Sequence, residues 1–490
     1  MDRGNIAGTV GGVVGEVLIR RLFAFRLSPL LYIILLFYIW TASSNGFALR
    51  GYTLNYNLLT DAFLNGQLNL PVNPSRELLA LSDPYDPQQN SNYRLHDASL
   101  YHDKYFMYFG PVPVLTFYLP FRVLTGIHFP ECLGVVYFSF AGLLFQMATL
   151  KFLIRRYAPA TPGFFVHAAT LILGISNFVP FILRRPAIYE AAIAAGFCFF
   201  AGAIFWLVRS VADPQPRPKD LMLASIFMGL AIGSRPGYLI ISSLLGGGAL
   251  CFLFRGRGKS DRNLLCETGA LTFPFLIIFS GLLFYNYLRF DHCLEFGVTY
   301  QLSGSNGLRQ NGFSPSHVWI AMKTYFFGKP VIDTIFPYFH PWLENPPQLP
   351  GIERVTGLLY STPIIATALV LSPMLVFGRN NAGNPAPKLA SAFTAIGVAC
   401  GFFDCFFGVT ERFMVDFVPW LLMGSIWIWI GLRARFAGSL WRRNCYHAPF
   451  ILTSIYGLLF HSAISLAGYY DCLERFNPQT YNWIKRWFVH

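Results

Sequence analysis

Two groups of residues in this chain could do chemistry: carboxylates in a long polar stretch, and arginines at the ends of apolar runs. The polar stretch starts at Thr41 and ends near Gly126. A carboxylate within hydrogen-bond reach of an alcohol takes its proton as that alcohol attacks an electrophilic carbon. Asp61, in YNLLTDAFLNGQL, and Asp97, in RLHDASLY beside His96 and Tyr101, are the two residues there that could act so. Asp61 also reads as a helix-surface or capping carboxylate after Thr60. Asp83 and Asp86, each followed by Pro, read as turn formers.

The arginines recur at one set of span ends. Arg184 and Arg185 close one apolar run, Tyr189 and Glu190 open the next, and Arg235 precedes Pro236. Arg289 closes a further run, and Arg412 opens another between Glu411 and Asp416. One such Arg is an ordinary snorkelling side chain. A ring of them on the face that usually lacks basic residues asks for another reason. Guanidinium offers a fork of donors to phosphate oxygens and stabilises a departing phosphate, so donor-phosphate binding is expected of Arg184, Arg185, Arg235, Arg289 and Arg412. Glu411 and Asp416 read as counter-charges. Tyr101, Tyr105, Tyr189 and Tyr300, with Glu190 and Glu411, are the expected cavity wall, although aromatics make up 17% of the chain and many belong to an interfacial belt. His292, His317 and His340 show no metal spacing, and the nine cysteines form no C-x-x-C pair. No metal or cofactor is expected, and a Cys293–Cys472 disulfide is disfavoured.

These residues must be held by membrane helices. The 490 residues are 54% hydrophobic and only 12% charged, with a mean hydropathy of +0.45, against roughly 25% charged in soluble domains. The expected fold class is an all-α polytopic membrane protein. Beyond a first helix at 27–40, apolar spans fall near 130–150, 163–183, 187–209, 219–234, 237–254, 265–288, 356–377, 389–408, 413–432 and 447–469, about eleven crossings in all. Arg3, Arg20, Arg21 and Arg26 place the N-terminus in the cytoplasm. The clusters at Lys151–Arg156, Arg217–Lys219, Arg255–Arg262, Arg379–Lys388 and Arg433–Arg443 then fall on the same side. The formal charge of +13 is thus explained by topology and anionic lipid, with no nucleic-acid partner. The alternation holds only if Met107–Gly126, with three prolines, lies in the interface without crossing. Two long outer loops result, 41–130 and 289–355. Residues 1–355 read as the catalytic module and 356–490 as C-terminal helices with an outer tail.

One helix, a long outer loop with an early acid, an interfacial proline-containing helix, and a bundle with a second large outer loop resemble the GT-C superfamily of glycosyltransferases, which includes protein O-mannosyltransferases and aminoarabinose transferases. The stretches LHDASLYHDKYFMYFGPVPVL, RRPAIYEAAI, GLAIGSRPGYL, NYLRFDHCLEFGVTYQL and ERFMVDFVPWLL also resemble uncharacterised bacterial membrane proteins of that kind. The resemblance implies an inverting transferase in the bacterial cytoplasmic membrane, using a polyprenyl-phosphate-linked sugar and a cell-envelope glycan or lipid acceptor on the periplasmic side. It implies a first-loop carboxylate as base. The mannosyltransferases carry an adjacent acidic pair there, whereas Asp61 is followed by Ala62, so Asp61 and Asp97 both stand as bases. A transporter or flippase of lipid-linked saccharides would share an arginine-lined cavity. Its ionisable groups would sit at mid-span, whereas here they gather at span ends and in loops.

Overall fold

The computed structural model describes residues 28–43, 54–213, 215–255, 261–304, 313–343, 353, 355–367, 369–371, 385–436, 438 and 440–488. The basic residues Arg3, Arg20, Arg21, Arg26 and Arg379, and the middle of the Arg255–Arg262 cluster, lie outside the described residues.

The protein is mostly helical. In chain order it comprises α1 (Pro29–Ser43), α2 (Asn55–Leu64), the hairpin β1 (Ala98–Tyr101) and β2 (Lys104–Met107), and α3 (Val114–Thr125). There follow α4 (Glu131–Tyr157), α5 (Gly163–Ile175), α6 (Val179–Leu183), α7 (Ile188–Val211), α8 (Pro218–Ser234), α9 (Tyr238–Arg255) and α10 (Asp261–Phe290). Then come α11 (Pro315–Phe327), the hairpin β3 (Pro330–Ile332) and β4 (Phe339–Leu343), α12 (Ala386–Asp404), α13 (Met414–Arg435), α14 (Leu440–Ala467), α15 (Cys472–Phe476) and α16 (Pro478–Lys485).

Among the described residues, seven helices, built on α4, α7, α9, α10, α12, α13 and α14, are long and apolar enough to cross a bilayer. In hydrocarbon only a helix or a closed barrel satisfies every backbone group, so these runs fold as uninterrupted helices. The expected span at 163–183 is divided into α5 and α6, and α8 has 17 residues. The stretch from 356 is described as a short helix, Leu358–Ser361, and the residues after it. α3 opens with a π turn at Val114–Tyr118 and ends at Gly126, whose φ is 73°. At about 1.5 Å per residue it falls well short of a bilayer's hydrocarbon core.

α13 and α7 form the centre of the bundle, with 94% and 83% of their most apolar stretches buried. α10, at 11%, lies on the rim. The small residues of AAIAAG and AGA in α7 let neighbours approach closely: Phe227 of α8 covers Gly202, and Arg235 and Tyr238 cover Gly196. α12 and α13 pack antiparallel, Gly397 against Leu421 and Gly401 against Phe417.

This packing sorts the charges between two ends. At one end Asp213 pairs with Arg217 at 2.7 Å and Arg156 at 3.5 Å, and Arg433 donates to the carbonyl of Ala160 at 3.1 Å. The opposite end holds the last turns of α8, α10 and α12, the first turns of α7 and α13, and both long loops.

Candidate functional site

Backbone pairing brings the two loops together. The β1–β2 turn places both His102 and Asp103 at positive φ, 47° and 56°, as a two-residue type I′ hairpin requires. Residues from the second loop line up along the free edge of β1: Leu100 N donates to Tyr300 O at 2.9 Å, Leu302 N to Ala98 O at 2.9 Å and Asp97 N to Leu302 O at 3.0 Å. Gly297, at φ 96°, lies against Ser99, whose hydroxyl donates to its carbonyl at 2.8 Å.

This edge delivers Gln301 to Asp97. Asp97 is 4% exposed, sits at φ 61°, and accepts at Oδ1 from the Tyr189 hydroxyl at 3.0 Å and from Gln301 Nε2 at 3.1 Å. Gln301 Nε2 also reaches the Tyr189 oxygen at 2.8 Å, so the three groups brace one another. Oδ2 lies 3.3 Å from Nε2 of a half-exposed histidine, His96. Oδ1 is therefore fixed by two donors, whereas Oδ2 lies beside an imidazole that is itself half-exposed.

Tyr189 connects this carboxylate to the arginines. The Arg412 guanidinium stacks over its ring, 4.3 Å from the centroid, donates to Glu353 Oε1 at 2.7 Å and lies 3.7 Å from Glu190 Oε1. Glu353 Oε2 accepts from Thr410 at 2.7 Å and Tyr469 at 2.9 Å. Burial pushes the Glu353 carboxyl up, but Arg412 and those two hydroxyls outweigh it and hold it below the usual carboxylate range. Arg185 stacks on Tyr469 at 5.4 Å. Arg235 forms a second centre: it pairs with Asp416, lies 3.7 Å from Asp404 and stacks on Phe413. The Tyr238 hydroxyl donates to Asp416 at 2.7 Å. A small cavity opens there between Arg235, Asp404, Asp416 and Cys400. Tyr108 lies within electrostatic reach of Arg235, Asp97 and Arg412, and burial pushes its hydroxyl up to about 12.

The other two arginines are used differently. Arg289, 3% exposed, donates to the Met107 carbonyl at 2.6 Å and to Asn286 at 2.7 Å, tying α10 to the end of β2. Arg184, fully buried, donates to the Ser465 carbonyl at 2.5 Å and stacks on Trp40. Asp61 stands apart from the arginine ring. Both its oxygens lie 2.9 Å from His128 Nε2, and Arg122 is 3.6 Å away, so it joins α2 to α3 at the surface.

Of the remaining expected wall residues, Tyr101 donates to Asp291 at 3.1 Å and packs on Tyr300 at 4.6 Å, forming an aromatic shelf at the hairpin tip. Tyr105 is buried behind the hairpin, its hydroxyl accepting from Leu95 N at 3.2 Å. Glu411 is buried and accepts from Thr356 at 2.5 Å. Among the described residues no group of three or more His, Cys, Asp or Glu could hold a metal ion. No family model, curated protein or solved structure matches the chain.

Sequence reasoning missed Gln301, Glu353 and Asp404. Asp404 carried a usable signal, an acid inside the apolar run GFFDCFF. Gln301 and Glu353 carried none, because their roles depend on how the second loop folds back.

Proposed function

We propose that this chain is a GT-C-type glycosyltransferase that moves a sugar from a polyprenyl-phosphate carrier to a cell-envelope glycan or lipid. The observation that carries this reading is the continuity from a braced, buried carboxylate, Asp97, through Tyr189 to a guanidinium cluster at one end of a membrane bundle. On this reading a base and an anion site sit side by side at one end of the bundle.

In this reading Asp97, and not Asp61, is the base. An acceptor hydroxyl takes the place of His96 at Oδ2 and gives up its proton there as its oxygen attacks the anomeric carbon. The bond from that carbon to the phosphate oxygen breaks with inversion, and polyprenyl phosphate leaves. Arg412, with Arg185 and Arg235, stabilises the charge on the leaving phosphate. The carboxylates around them have a purpose here: Glu353 and Glu190 hold the Arg412 fork in place, while its buried Nε donates to no acceptor among the described residues. The proposal includes eleven crossings, α3 in the outer interface, an N-terminus in the cytoplasm and a periplasmic site in the bacterial inner membrane.

The test uses purified protein in nanodiscs, a panel of synthetic polyprenyl-phosphate sugars and envelope glycolipid acceptors. Transfer of labelled sugar with release of polyprenyl phosphate is the expected result. Movement of the intact lipid-linked sugar between leaflets without transfer would identify a flippase and refute the proposal.

A further inference from the structure

Helix α16 carries an aromatic face that stays exposed among the described residues. Asn477 caps α16, accepting from Thr480 N at 3.1 Å, and the inner face rests on Tyr481, 4% exposed, whose hydroxyl donates to Phe336 O at 2.7 Å. Phe488, just beyond the helix, stacks on Phe336 at 5.7 Å and accepts at its carbonyl from Tyr338 at 2.8 Å. α16 is thus docked on the β3–β4 hairpin of the second loop.

The outer face is different. Trp483 and Trp487, four residues apart and on one side, are 61% and 70% exposed, with ring centroids 6.1 Å apart. Two such rings left in water forgo the gain from burying their apolar surface. Lys485 and Arg486 lie between them in sequence, with Arg486 exposed. The apolar helix α14 ends at Ala467 and α16 begins at Pro478, with α15 between them.

We propose that α16 lies in the bilayer interface, with Trp483 and Trp487 at headgroup depth and Lys485 and Arg486 on anionic phospholipid headgroups. Three observations favour lipid. Indole, an apolar ring with one N–H donor, suits the headgroup layer. The two cations suit anionic headgroups. Only α15 and its flanking turns lie between α16 and the last membrane-length helix. The consequence is mechanical: α16 fixes the second loop's hairpin against the membrane, upstream of Glu353.

The test is tryptophan quenching on the full chain in nanodiscs of phosphatidylcholine, with and without phosphatidylglycerol. The chain has ten tryptophans, so the fluorescence of wild type minus that of a W483F/W487F variant isolates the pair. That difference signal should lose most of its intensity to lipids brominated near the headgroup and much less to lipids brominated near the chain end. K485E/R486E should weaken the quenching only where phosphatidylglycerol is present. Quenching by aqueous iodide but by neither brominated lipid, or concentration-dependent cross-linking between two copies through this face, would overturn the proposal.

Discussion

Replacing Glu353 by Gln removes one charge from the Arg412 cluster while preserving its shape. In the folded protein the carboxylate accepts from Arg412 Nη2 at 2.7 Å, from Thr410 at 2.7 Å and from Tyr469 at 2.9 Å. Its side chain is 27% exposed, so solvent screens the pair only in part. A hydrogen bond to a charged group contributes about 1.5–3 kcal/mol and a neutral one about 1. Gln also supplies an amide where Thr410 and Tyr469 need an acceptor, so E353Q should lose about 1.5–3 kcal/mol at neutral pH. The sign of the pH dependence follows from the lowered carboxyl. A group with a depressed folded-state pKa stabilises above its unfolded value, about 4.3, and loses that contribution as pH falls through the folded value. The gap between wild type and E353Q should therefore be full at pH 6 and close on acidification. Unfolding by sodium dodecyl sulfate in mixed micelles across that range measures it. In an R412L background, where the carboxylate has lost this guanidinium, E353Q should cost much less. Equal stability of wild type and E353Q at pH 7, or a gap unchanged at low pH, would refute the argument.

Three further outcomes are expected. Asp97 at φ 61° makes D97G more stable than D97A, by about 1 kcal/mol, because a Cβ costs roughly that much in the left-handed region; equal unfolding midpoints would contradict this. G297A places a Cβ against Ser99 at φ 96° and should loosen the contact between the loops, seen as faster amide exchange at Ala98–Leu100 with the transmembrane helices unaffected. R235L leaves Asp404 and Asp416 facing each other without their cation and should cost about 3–5 kcal/mol, part of which R235L/D416L recovers; thermal unfolding in detergent reads both.

What the sequence makes legible is set by range. Membrane spans are local: a run such as IYEAAIAAGFCFFAGAIFWLV states its own environment, and α7 coincides with it. Basic clusters follow a similarly local rule, and Arg156, Arg217 and Arg433 do gather at one end. What surrounds Asp97 is not local. It depends on Gln301 arriving along β1 and Tyr189 from the head of α7, contacts separated from Asp97 by long stretches of chain. The same is true of Arg289, which reads as one more end-of-span arginine until its acceptor proves to be the Met107 carbonyl. Residue type alone does not distinguish a guanidinium that closes a loop from one that faces a site.

The most direct measurement of the central claim compares D97N and D61N in the polyprenyl-phosphate sugar transfer assay. Asn in place of Asp97 still offers Oδ1 to Tyr189 and Gln301 and tolerates the left-handed backbone, so the protein should fold and bind donor. It accepts no proton, and transfer should fall by about 10²- to 10⁴-fold. Asp61 belongs to a surface ion pair worth about 0–1 kcal/mol, so D61N should stay close to wild-type activity. Loss of transfer in D61N with full transfer in D97N would contradict the account.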